Sequence, residues 1–232
     1  MIDPVLSIVV GTVDRPAHIA KCIESVVQHT TVPWELIVTD ASREPLVLEK
    51  PDERIRVIRE APRLGHAKGY NRAFREARGK WVCWLNDDAE ATPGWASSAV
   101  QFMESAPWCG LGCFYHSENG CCYHLNEYQG FIYANFGILS KEFGDELCWF
   151  DECVNMYGAD NSITFKTLLS GRGVSGIPGG KLMHRPIWDA VREQNVAGQI
   201  EDARKLMDKY RDFLWAMERT MYRFPPSPLR IA

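Results

Sequence analysis

"GHAKGYNRAFREARGKWVCWLNDDAEATPGW", residues 65–95, decides how this chain folds. Ala67, Tyr70, Phe74 and Ala77 recur at helical spacing, and Gly79 stands where that helix should stop. "KWVCWL" (80–85) is a continuous apolar run, short enough for a strand buried on both faces. It runs directly into Asn86, Asp87 and Asp88. Thr92 is a candidate cap for the next helix, and Pro93 suits its first turn. Adjacent carboxylates repel one another unless something cationic lies between them. A hard divalent cation with oxygen ligands is the usual neutraliser, and Mg²⁺ or Mn²⁺ leaves positions open for phosphate. The same stretch also reads as a solvated acidic turn near a helix N-terminus, where carboxylates are stabilised.

Working outward, the pattern repeats. "VLSIVV" (5–10) reads as a first strand, followed by the helix "DRPAHIAKCIESVVQHT" with Ile19, Ile23, Val26 and Val27 on one face. "WELIVTD" (34–40) and "IRVIRE" (55–60) are further strands. The order β-α-β-β-α-β-α predicts a mainly parallel, Rossmann-like sheet with helices on both faces. Ligands bind such sheets beyond the carboxyl ends of the strands. Thr12, Asp14, Asp40 and residues 86–88 all fall at that edge.

The second half is less regular. "SENG" (117–120) reads as a hairpin turn, with Asn119-Gly120 supplying positive φ angles. A helix is expected from Asp160 to Ser170, then a short strand and loop, "GVSGIPGGKLMHRP", that includes His184. Helices are expected from 189 to about 223, before a proline-rich, extended "RFPPSPLRIA".

Composition narrows the function. The chain has 232 residues, enough for one large domain or a domain with an appendage. Its formal net charge is −4 and it has no basic tract, which argues against nucleic acid as a partner. No apolar run approaches the roughly 18 residues of a membrane span, so no transmembrane segment is expected. The start lacks the look of a signal peptide. A cytoplasmic location is expected, with room for peripheral attachment at a membrane. The eight cysteines form no C-x-x-C pair. The densest stretch, "CGLGCFYHSENGCCYH" (109–124), does not have the spacing of a familiar zinc site.

Taken together, these segments resemble the family 2 glycosyltransferases, in the rhamnosyltransferase-like form of their D-x-D motif, and their relatives of the GT-A fold. The resemblance covers roughly residues 5 to 185. "LSIVVGTVDRPAHIAKCIESVVQHT" looks like the family's first strand, nucleotide loop and helix, and "WELIVTDAS" like its "EIIVVDNGS" segment. The opening stretch is similar to the helix "N-x-G-x-A-x-A-x-N-x-G" followed by the D-x-D turn, in the form "LNPDTEVxPG". "NFGILSKEFGDELCWFDECVNMYGADNSITF" resembles the acceptor-side segment that ends in "G-E-D-x-D-L", and "GGKLMH" matches a late histidine near the diphosphate.

The resemblance implies roles. Asp88 and His184 would bind a divalent metal, Mn²⁺ or Mg²⁺. Thr12, Asp14, Asp40, Lys68, Asn71, Asn86 and Asp87 would line the site for a UDP-, dTDP- or GDP-linked sugar. Asp160 would be the catalytic base of an inverting transfer to a glycan, lipid-linked or protein acceptor. It also suits a helix N-cap. Trp149 would offer the acceptor a stacking surface, whereas the other tryptophans suit the core. The implied division is a catalytic domain over 1–188, with a donor half (1–105) and an acceptor half (106–188), and a helical extension over 189–232. Two departures stand out: Ala159 replaces the motif's glutamate, and Ser162-Ile163 replaces its "D-L". They favour, as an alternative, a non-catalytic module that binds nucleotide or glycan. A sugar-phosphate nucleotidylyltransferase would need a glycine- and arginine-rich loop where this chain has "GTVDRPAH".

Overall fold

The computed structural model describes residues 3–128 and 131–216. The expected proline-rich tail, and the last stretch of the expected C-terminal helices, lie outside the described residues.

Four parallel strands form the first half of one curled sheet: β1 (Leu6–Thr12), β2 (Trp34–Asp40), β3 (Ile55–Arg59) and β4 (Trp81–Asn86). The second half adds β5 (Ala89–Ala91), β6 (Cys109–Ser117), β9 (Gly137–Ser140) and β10 (Gly173–His184). The strand order is β3-β2-β1-β4-β9-β6-β10-β5, and a small ladder of β7 (Asn126–Tyr128) and β8 (Phe131–Tyr133) stands apart. This is the expected mainly parallel sheet; β9 and β5 run antiparallel to their neighbours.

Both faces are covered. Alternate residues of each strand serve different cores, as the two-residue strand period requires. Ile8, Val10, Leu36, Val38, Cys83 and Leu85 pack under α1 (Pro16–His29) and α3 (Trp95–Ser105). Val9, Ile37, Val82 and Trp84 pack under α2 (His66–Glu76) and α5 (Ala159–Leu169). Ser140 caps the short α4 (Lys141–Glu146) by accepting the Phe143 N–H. Two further helices follow, α6 (Ala190–Ala197) and α7 (Gln199–Lys209). Leu206, Tyr210 and Leu214 join the second core, so α7 and the residues that follow it to Leu214 pack onto the sheet.

Some local expectations change. Helix α2 ends at Glu76, before Gly79. Gly79 instead lets the backbone pass against β1, where its N–H donates to Ser7 Oγ at 2.8 Å. Thr92 caps nothing: its hydroxyl donates to the Lys181 carbonyl, and Gly94, at φ 80°, leads into α3. At the expected hairpin only Gly120 has positive φ, and the returning chain pairs with β6 through one bridge, His116 to His124. The strand before His184 is long, with its register shifting between Gly176 and Lys181. Cys109 and Cys113 are buried in β6, whereas Cys121 and Cys122 are exposed. Among the described residues no group of three or more His, Cys, Asp or Glu side chains is arranged to hold a metal. Among the described residues no helix is long and apolar enough to cross a membrane.

Candidate active site

A cavity of about 240 Å³ opens at the carboxyl edge of β1, β2 and β4. Its floor includes Gly11, Thr12, Thr39 and residues 86–88. Met156, Tyr157, Gly158 and Asp160 form one wall, and Val191, Arg192 and Asn195 of α6 form another.

The acidic turn sits where two sheet halves meet. β4 ends at Asn86, residues 87–88 turn, and β5 leaves to pair with β10. In that pairing His184 lies opposite Ala89, and the Arg185 N–H donates to the Asp88 carbonyl at 2.8 Å. His184 Nε2 therefore comes within 3.3 Å of Asp88 Oδ1. Asp88 Oδ1 is buried and has no hydrogen-bond partner among the described residues. A buried carboxylate oxygen without a donor is costly, and a cation shared with the imidazole would satisfy it. Asp88 and His184 thus fit a divalent metal whose other ligands would be water and phosphate.

Asp87 behaves differently from its neighbour. Thr12 Oγ1 donates to its Oδ2 at 2.9 Å, and Arg15 pairs with its Oδ1 at 3.1 Å. Burial still raises its carboxyl, with the charge of Asp88 adding to the effect against Arg15. Arg15 also forks onto Asp189, with Nε at 2.8 Å and a terminal nitrogen at 2.7 Å. One guanidinium therefore links the acidic turn to the residue that caps α6.

Asp160 lines the cavity from the first turn of α5, where Gly158 at φ 89° is the N-cap; the expectation that Asp160 caps the helix is corrected. Burial pushes its carboxyl up to about 6, opposed by the Asn161 N–H at 3.0 Å. The loop before it is held from behind. Asp202 of α7, 2% exposed, accepts the backbone N–H groups of Asn155, Met156 and Tyr157 at 2.9, 2.9 and 3.0 Å.

Of the expected site residues, Thr12, Asn86, Asp87, Asp88, Asp160 and His184 line one cavity. The others do not. Trp149 is corrected from acceptor platform to core: it is 3% exposed and stacks on Phe74 with ring centres 4.5 Å apart. Asn71 is buried, and its carboxamide clips the Phe150 backbone through both its oxygen and its nitrogen. Lys68 is exposed on the outside of α2. Asp40 is fully buried and accepts from Ser42 N–H, Leu46 N–H and Arg59. Burial opposes its ionisation, yet those donors hold it below the usual carboxylate range. Asp14, at φ 51°, accepts the Arg43 N–H. Asp14 and Asp40 therefore shape the loops beside the cavity.

The structure also adds residues. Arg15, Glu60, Arg63, His66 and Arg192 line the cavity. Burial, reinforced by Arg63, lowers His66 to about 4, so its imidazole is neutral at pH 7. Glu60 carries the signal that marked Asp40, a strand running into an acid at the ligand-binding edge.

The sequence pattern of glycosyl transferase family 2 matches residues 7–146. An uncharacterized glycosyltransferase of Haemophilus influenzae is 32% identical over 143 residues, 61% of this chain and 47% of that protein. WfgD of Escherichia coli, a UDP-Glc:alpha-D-GlcNAc-diphosphoundecaprenol beta-1,3-glucosyltransferase, is 24% identical over 75% of this chain and 58% of its own length. The chain thus spans about half of each of these relatives. Among solved structures, the mannosyltransferase PcManGT of Pyrobaculum calidifontis, in complex with GDP-Man and Mn²⁺, superposes with a TM-score of 0.67 at 16% identity. That match covers 93% of this chain and 69% of the mannosyltransferase. GalNAc-T7 with UDP, GalNAc and Mn²⁺ superposes at 0.65 and 15% identity, over 78% of this chain and 43% of that one. The fold is that of the GT-A glycosyltransferases, and the chain belongs to glycosyl transferase family 2.

Proposed function

We propose that this glycosyltransferase moves a sugar from a nucleoside diphosphate sugar to an acceptor hydroxyl, with inversion, and that it needs Mn²⁺ or Mg²⁺. The observation that carries the proposal is a division of labour within one cavity: the partnerless Asp88 oxygen beside His184 on one side, and the raised carboxyl of Asp160 on another.

Asp88 and His184 would hold the ion, which when bound supplies positive charge for the departing diphosphate. Asp160 accepts the acceptor hydroxyl's proton as that oxygen bonds to the anomeric carbon. The bond from that carbon to the diphosphate breaks, and its electron pair leaves on the diphosphate oxygen. A carboxyl raised to about 6 is a stronger base than a solvated aspartate and is still mostly ionised at pH 7. The acceptor is a glycan, lipid-linked or protein hydroxyl, and the undecaprenol-linked acceptor in WfgD's name favours the lipid-linked class. A peripheral position at a membrane fits that choice.

The test incubates the protein with Mn²⁺ and a panel of UDP-, dTDP- and GDP-sugars and follows donor hydrolysis and thermal shift. Metal-dependent stabilisation by a diphosphate, lost in Asp88→Ala, is the expected result. Hydrolysis that survives Asp160→Asn unchanged would remove Asp160 as the base. Binding without turnover would favour the non-catalytic module that Ala159 and Ser162 suggest.

A further inference from the structure

We propose that Glu60 reads the nucleobase of the donor and that it selects guanine, an inference that rests on the donor-site reading above. The sheet itself orients the nucleotide. Asp88 and His184 place the diphosphate at the end of β4, and the strands beyond it are β1, β2 and β3 in that order. Neighbouring strands lie about 4.8 Å apart, so a nucleoside running from β4 puts its ribose over β1 and its base over β2 and β3. Thr39, Ala41, Glu60 and Arg63 line that end of the cavity.

Asp14 and Asp40 are engaged within the loops there, as their hydrogen bonds show. Glu60 is not. It is 5% exposed yet lines the cavity, and the single hydrogen bond described to its carboxylate is the Leu64 N–H, at 3.3 Å from Oε2. Oε1 rests over Gly69, where a methyl group would overlap it. Helix α2 thus carries a glycine at the position that seats this carboxylate.

A carboxylate accepts and does not donate, and its two oxygens favour two parallel N–H groups. Guanine offers that pair, the ring N1–H beside the N2 amine. Uracil and thymine offer one N3–H flanked by carbonyl oxygens, which would face the second carboxylate oxygen. Adenine and cytosine set a ring-nitrogen acceptor beside their amines. A wrong base therefore leaves a buried charge without its donors, the situation in which binding sites discriminate most strongly.

The test measures dissociation constants for GDP, UDP, dTDP and inosine diphosphate in Mn²⁺. Inosine diphosphate differs from GDP only in lacking the N2 amine. GDP is expected to bind tightest, and about 10- to 100-fold more tightly than inosine diphosphate. Glu60→Gln, with one acceptor and a donor in its place, should erase that difference. Gly69→Ala, which keeps the carboxylate but displaces it, should shrink it. The wild-type ratio requires no variant to fold: equal affinity for GDP and inosine diphosphate overturns the proposal. Tightest binding of UDP or dTDP, unchanged in Glu60→Gln, overturns it too while leaving the donor site standing. If no diphosphate binds in Mn²⁺, the donor-site reading falls with it.

Discussion

Asp40 at the end of β2 is fully buried and Asp160 at the start of α5 is half-buried, both beside one cavity, and their surroundings are opposite. Asp40 is met by two backbone N–H groups and a guanidinium, and its carboxyl is lowered although burial opposes ionisation. Asp160 is met by the N–H of Asn161, and burial carries it up to about 6. Full partnering makes the first a fastener for the loop through Leu46. Sparse partnering leaves the second with acceptor capacity facing the cavity, at the cost of stability. An acid's donors, together with its exposure to the cavity, separate scaffold from chemistry here.

The largest expected effect tests that contrast directly. Asp160→Asn should lower sugar transfer by about 10²- to 10⁴-fold, the range for loss of a general base, with donor affinity little changed. Single-turnover assays alongside nucleotide titrations separate the two. Asp40→Ala should do the reverse: unfolding free energy falls by about 3 kcal/mol, because Arg59 and the loop N–H groups lose a buried acceptor. Denaturant midpoints check this, and a purely catalytic defect would break the comparison.

Asp202→Ala comes next. Three N–H groups behind the Asp160 wall would lose their acceptor, for an expected loss of about 2–3 kcal/mol. The rate should fall as well, because the backbone before Gly158 relaxes. An Asp202→Ala enzyme with normal stability would show that the wall is held by something else.

The same contrast has a pH dependence of known sign. Asp160 has a raised folded pKa, so keeping it ionised costs stability above about 6 and nothing once pH falls below its ordinary value of 3.8. Asp160→Asn should therefore raise unfolding free energy at pH 7 by about 1–3 kcal/mol, with the difference from wild type closing as pH falls toward 4. In wild type the transfer rate should fall as pH drops through about 6, where the base protonates. Thermal melts and a pH–rate profile give the two readouts.

Much of this was legible in the residues. The first and fourth strands, β1 and β4, are largely apolar runs, and the alternation of strands with helices dictates a parallel sheet. The acidic turn and His184 were legible through their resemblance to a family motif. What stayed hidden depends on contacts between distant parts of the chain. Nothing in "FGDELCWF" distinguishes a stacking platform from a core tryptophan; Phe74, far off in sequence, makes Trp149 core. Asp40 resembles a ligand until Leu46 and Arg59 are seen to use it up. Arg15 and Asp189 are separated by most of the chain, and no local pattern pairs them.

That pair carries the smallest expected effect. Arg15 joins Asp189, at the head of α6, to Asp87 on the acidic turn, so the α6 wall and that turn share one guanidinium. Arg15 holds the Asp189 carboxyl down at about 2. The coupling is therefore complete above the ordinary carboxylate range and lost only as pH falls toward 2. Asp189 is partly exposed, so the pair resembles a surface ion pair, worth about 0.5–1 kcal/mol. Asp189→Asn should weaken diphosphate binding by a few-fold, with the effect shrinking in high salt because screening already weakens the ion pair in the wild type. The rate on bound donor should stay near normal, because Asp160 is held through Asp202 on α7. If Asp189→Asn instead abolished transfer while donor binding survived, α6 would serve the chemistry of Asp160, and the two aspartates compared above would share one support.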